Sequence, residues 1–114
     1  MIKQIQYPPE CMAKMAWICK DYFELSNNDG VYGYVALICN PPECQIHFQV
    51  VRFAKSVYKS MIEVWPSVLD IIKGMGGEII SVCYPYVGDM RMYKLLAKFG
   101  FLEPRTHWIS FRRV

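Results

Sequence analysis

LLAKFGFLEPRTHWISFRR, residues 95–113, reads as the end of a basic helix that closes on Phe99-Gly100-Phe101 and then gives way to a final strand, THWISFRR. Gly100 falls where helices commonly end in a left-handed residue, a conformation glycine adopts without a Cβ penalty. Upstream, Met92, Leu95, Leu96 and Phe99 share one helical face and Arg91, Lys94 and Lys98 another, with Gly88-Asp89 opening the helix. Before it, EIISVCY (residues 78–84) is a near-continuous apolar run, the mark of a central strand buried on both faces. Further back, Ser56 is the expected N-cap of a helix that turns Val57, Met61, Val64 or Trp65, Val68 and Ile72 inward and ends at Gly74, Gly76 and Gly77. Pro66 interrupts that pattern, so the spacing predicts a kink near Val64 or two helices that abut there.

In the first half, residues 2–7 alternate as a short strand, which Pro8-Pro9 ends. From Glu10 onward Met12, Met15, Ala16, Cys19, Tyr22 and Phe23 recur at three and four, predicting an amphipathic helix that SNNDG (residues 26–30) stops. VYGYVALICN (31–40) and CQIHFQVVR (44–52) then form a hairpin, through Pro41-Pro42-Glu43 rather than the tightest type of turn. Its second strand sets Ile46, Phe48 and Val50 on one face and Gln45, His47, Gln49 and Val51 on the other. Those polar groups either meet water on an open face or pair within the molecule. The order strand, helix, hairpin, helix, strand, helix, strand predicts one α+β domain over residues 1–114, a mixed central sheet flanked by helices.

Composition narrows the function classes. At 114 residues the chain makes one core, and 54% hydrophobic content speaks against disorder. A net charge of +3, with no aromatic-basic run on a sheet strand, speaks against nucleic acid. KFGF at residues 98–101 sits at a helix end instead. The five cysteines form no Cys-x-x-C pair and are read as reduced thiols; His47 and His107 show no ligand spacing with them, so no metal is expected. No segment has the length to span a bilayer and MIKQIQYPPE lacks a signal-peptide run, so a soluble, non-exported protein is expected.

From about Gln45 to Phe111 the chain resembles the GCN5-related N-acetyltransferase (GNAT) superfamily. There a strand leads to a pyrophosphate loop and helix, then a strand, then a helix of the form Asn-x-x-Ala-x-x-x-Tyr-x-x-x-Gly-Phe. DMRMYKLLAKFGF (89–101) matches at Gly100-Phe101, with Asp89 for the asparagine, Met92 for the alanine and Leu96 for the tyrosine. The resemblance implies two splayed parallel strands with acyl-coenzyme A between them; a ferredoxin-like module with an extra helix and strand is the other architecture the pattern allows. It further implies that acetyl-CoA would lie against Val50, Val51, Arg52, Lys55, Ser56 and Lys59, and Asp89. In RFAKSVYKS (52–60), however, Lys55 and Val57 hold the positions of the loop glycines, which in the family allow backbone N–H groups to approach the pyrophosphate. For the catalytic groups, His47 is the candidate base because imidazole titrates near neutrality, with Glu43 second. Tyr93 is the phenol nearest the missing tyrosine.

Within the superfamily, the truncated N-terminal half, the absent glycine-rich loop and the leucine at the tyrosine position resemble the small acetyltransferase-like internal virion or head-assembly proteins of short-tailed phages. That resemblance implies a role in building the particle, virion proteins as partners, and location in the host cytoplasm or the virion. The alternative is an active N-acyltransferase that moves an acetyl group from acetyl-CoA to a protein or small-molecule amine.

Overall fold

The computed structural model describes residues 1–15, 21–83, 90–101 and 109–113. Six strands form one sheet in sequential order: β1 (Ile2–Ile5), β2 (Asp21–Asn27), β3 (Gly30–Asn40), β4 (Glu43–Val50), β5 (Ile79–Cys83) and β6 (Ile109–Arg113). Every neighbouring pair is antiparallel except β4–β5, which α1 (Lys55–Gly74) joins in parallel; α2 (Met90–Lys98) lies between β5 and β6 in the chain. The fold is therefore α+β with a mixed sheet, as expected. Its sequential strand order rules out the ferredoxin-like alternative, whose split βαβ units separate connected strands.

The first half corrects the sequence reading. Glu10–Met15 makes only a 3-10 turn, and Asp21–Asn27 is a strand rather than the end of a helix. Tyr22 and Phe23 fit a helical period, but Phe23 and Leu25 fit a strand equally well, and pairing to β1 on one side and β3 on the other decides for the strand. Phe23 and Leu25 enter the main core, whereas Tyr22 packs with Met12 and Ala36 on the opposite face of the sheet. Ala16 and Cys19 lie outside the described residues. SNNDG is thus a hairpin turn: Asn27 pairs with Gly30, the Asp29 N–H donates to Asn27 Oδ1 at 2.9 Å, and Gly30 takes φ +109°. The next hairpin closes through Pro41-Pro42 alone, since Asn40 already pairs with Glu43, a shorter connection than expected.

The main core lies between the sheet and the inward faces of α1 and α2. Val57, Met61, Val64, Trp65, Val68 and Ile72 of α1 are buried there with Leu95, Leu96 and Phe99. Trp65 stacks on Phe99 with ring centroids 4.4 Å apart and planes 5° from parallel, and Phe48 and Phe101 flank it. α1 runs unbroken through Pro66, not as two helices; the proline is on the exposed side, where a lost backbone bond meets solvent. Its N-cap is Ala54 rather than Ser56, with no side-chain cap. The glycines end it as predicted: the Gly77 N–H donates to the Ile72 carbonyl at 3.0 Å, and Gly76 takes φ +87°. Gly100 likewise takes φ +89° after α2. Among the described residues no helix is long and apolar enough to cross a membrane.

Candidate functional site

β4 and β5 run side by side from Glu43–Ile79 to His47–Cys83, and that is the last rung of their described ladder. β4 itself continues three residues past His47, to Val50. Its strand neighbours alternate: Cys44, Ile46 and Phe48 are buried in the main core, while Gln45 and His47 lie half-buried on the other face. The His47 Nε2 is buried and has no hydrogen-bond partner among the described residues. Burial pushes the imidazole below its ordinary pKa, so it stays neutral and keeps a lone pair free to accept a proton. Glu43 is four residues back on the same strand, about 13 Å away, and its Oε1 accepts a bond from Ser81 Oγ at 3.1 Å. The two candidate bases are therefore not brought together.

The start of α1 is tied to the β2–β3 turn. Arg52 donates to Asn27 Oδ1 at 3.1 Å and to the Gly30 carbonyl at 3.4 Å. Asn27 Nδ2 donates to Ser60 Oγ at 3.2 Å, and Ser60 returns its hydroxyl to the Ser56 carbonyl at 2.8 Å. Ser56 Oγ donates to Asp29 Oδ2 at 3.3 Å, which puts a carboxylate on the first turn of the helix. Helix N-termini favour anions because their first N–H groups are unpaired and the helix dipole is positive there. Asp29 supplies that anion from within the chain. Val51 donates its N–H to the Tyr32 carbonyl at 2.9 Å and so is tied to the β3 edge, whereas Val50 faces Gly33 in a non-hydrogen-bonded pair and turns its own backbone groups away from β3. Lys55 is exposed. Lys59, 80% exposed, sits 4.0 Å from Glu63.

Of the remaining candidates, Tyr93 belongs to α2, but its side chain, like the whole of Asp89, lies outside the described residues. Leu96, at the position of the family tyrosine, is buried in the core. Two residues were missed in the sequence. Asp29 was hidden because its turn was read as a helix stop, although Asn-Asp-Gly between apolar runs is also a hairpin signal. Tyr32 was hidden because it is an extra residue on β3: Leu25 pairs with Gly33 and Ser26 with Val31. That bulge carries Tyr32 into the main core, while Tyr34 and Ala36 pack on the opposite face. Its buried hydroxyl has no hydrogen-bond partner among the described residues, and burial, with a smaller push from Glu63, raises its pKa to about 12. A surface cleft of about 450 Å³, lined by Ser26, Asn27, Ser60, Glu63 and Val64 among others, opens beside β1 and β2 rather than at the β4–β5 junction. Among the described residues no three His, Cys, Asp or Glu side chains gather to hold a metal ion.

The whole arrangement has counterparts among solved structures. The IAA acetyltransferase from Bacillus cereus ATCC 14579 aligns over 100% of this chain and 99% of its own, with TM-score 0.66 and 13% identity. A Bacillus subtilis acetyltransferase in complex with CoA aligns over 96% and 94%, with TM-score 0.64 and 10% identity. A GNAT-family structure from Desulfovibrio desulfuricans aligns over 99% and 98%, with TM-score 0.64 and 8% identity. No protein-family model and no curated protein matches the sequence. The chain thus has the GNAT acetyltransferase fold in a single small domain.

Proposed function

We propose that this chain is a phage head-assembly or virion-associated protein that keeps the acetyltransferase fold around a degenerate acyl-CoA site. The observation that supports the degenerate site is the Asp29 carboxylate on the first turn of α1, held there through Ser56 while Arg52 is spent on Asn27 and Gly30. A pyrophosphate arriving at that turn would meet a negative charge, and the guanidinium at the start of the motif already has partners. Lys55, exposed at the first glycine position, also brings a side chain where bare backbone would be needed, whereas the Val57 side chain turns into the core. The residues present do not fit the coenzyme's pyrophosphate, and no acyl-transfer step is assigned to it. The partners are then virion proteins, and the site of action is the host cytoplasm and the particle, as the resemblance to short-tailed-phage proteins implies.

A second reading rests on His47. A half-buried, neutral imidazole on the strand beside β5, its Nε2 without a hydrogen-bond partner among the described residues, is chemically able to take a proton from an amine. On that reading the protein is an N-acyltransferase using acetyl-CoA, with His47 as base and Tyr93 as the phenol that protonates the departing thiolate.

Quantitative mass spectrometry of purified particles, made with and without an intact copy of this coding sequence, separates the two. Assembly is supported by the chain co-purifying at fixed copy number, or by a drop in filled particles without it. Unchanged particles, together with His47-dependent acetylation of an amine by the purified chain, would overturn it.

A further inference from the structure

Among the described residues, Cys39 on β3 and Cys44 on β4 stand directly opposite each other, one rung in from the Pro41-Pro42 turn. The ladder determines what kind of pair they make. Val51 donates its N–H to the carbonyl of Tyr32, the residue facing it, at 2.9 Å. Hydrogen-bonded and non-hydrogen-bonded pairs alternate along an antiparallel ladder. Counting from 32–51 toward the turn, 34–49, 36–47, 38–45 and 40–43 are hydrogen-bonded pairs and 39–44 is not. Non-hydrogen-bonded partners bring their Cα atoms to about 4.5 Å, inside the span of roughly 4.4–6.8 Å that a disulfide accepts.

Both thiols belong to the core face. Cys44 is fully buried, and Cys39 is half-buried against the same cluster. Facing Cβ atoms in a ladder are about 4.5–5.5 Å apart, whereas a relaxed disulfide wants about 3.5–4.5 Å. Closing the bond therefore needs a small inward shift. The strain left behind makes the bond easy to reduce.

We propose that Cys39 and Cys44 form a reversible cross-strand disulfide by exchange with a low-molecular-weight disulfide. Cys39, the more accessible thiol, loses its proton and attacks one sulfur of the small disulfide, expelling the first thiolate and leaving a mixed disulfide. Cys44 then loses its proton and attacks the Cys39 sulfur, expelling the second thiolate. Two protein thiols are oxidised, the small disulfide is reduced to two thiols, and the two released protons go to the departing thiolates. The reduced state has its own tie: the Cys39 thiol donates to the Met75 carbonyl at 3.5 Å, just past the end of α1. Oxidation gives up that bond, so the couple links the hairpin tip to the helix C-terminus.

The test uses the full chain, folded, with oxidised glutathione as the probe, followed by acid quench, alkylation, trypsin and mass spectrometry. Residues 21–52 form one tryptic peptide containing both thiols. The expected result is this peptide unalkylated and lighter by two hydrogen atoms, returning to the doubly alkylated form after dithiothreitol. Exposed Cys11 serves as the internal control and takes an adduct or an alkyl group. A persistent glutathionyl group on Cys39 with Cys44 alkylated, two alkylated thiols at full oxidant, or a bridge that forms only in urea would each overturn the proposal.

Discussion

The C-terminal end of α1 is closed by backbone, and its N-terminal end by side chains borrowed from a turn more than twenty residues upstream. At Gly76 and Gly77 the chain folds back on the helix through its own N–H groups. At Ala54 there is no side-chain cap; instead Asp29, Asn27, Arg52, Ser56 and Ser60 interlock. A terminus built from backbone tolerates almost no added atoms but many changes of charge. One built from exposed polar groups shows the reverse. The N-terminal end is also the one that the proposed function reads as a degenerate coenzyme site.

Gly77→Ala should have the largest effect. A Cβ there would lie 2.6 Å from Ile72 Cγ2, 3.1 Å from the Ile72 carbonyl and 3.2 Å from Cys44 Cβ, and overpacking of this kind costs about 3 kcal/mol, measurable by urea denaturation. Under the N-terminal half of the helix, Tyr32→Phe should stabilise by about 1 kcal/mol, because it removes a buried hydroxyl that has no partner among the described residues. It should also flatten an alkaline limb. The unfolded chain's tyrosine ionises near 10.0 while folded Tyr32 holds its proton to about 12, so wild-type stability falls as pH rises through that window. Asp29→Asn should cost only about 0.5 kcal/mol, the worth of a charge at a helix N-terminus, and the loss should vanish in high salt. Lys59→Ala should change stability by less than about 0.5 kcal/mol, since Lys59 and Glu63 are 80% and 64% exposed and only 4.0 Å apart at their nearest atoms. A cost for Lys59→Ala as large as that for Gly77→Ala would break the contrast.

The same contrast explains what could be read from the sequence. Gly76, Gly77 and Gly100 announced their helix ends because backbone geometry is local and glycine is its marker. The apolar run at Ile79–Cys83 announced a central strand for a similar reason. β2 was not legible as a strand, since Tyr22 and Phe23 satisfy two periods and only pairing with β1 and β3 chooses between them. The strand of the candidate site was legible, with His47 on it facing Cys83 of β5, but the surroundings of its helix were not. Arg52 and Ser56 look available in the sequence; their partners Asn27 and Asp29 lie in a turn that the sequence does not connect to them.

The most direct test of the filled helix terminus is calorimetric titration of the folded wild-type chain with acetyl-CoA. No saturable heat is expected up to millimolar ligand. Saturable binding at micromolar acetyl-CoA, lost in a Lys55→Ala/Lys59→Ala double variant, would contradict it and establish the first turn of α1 as a working coenzyme site.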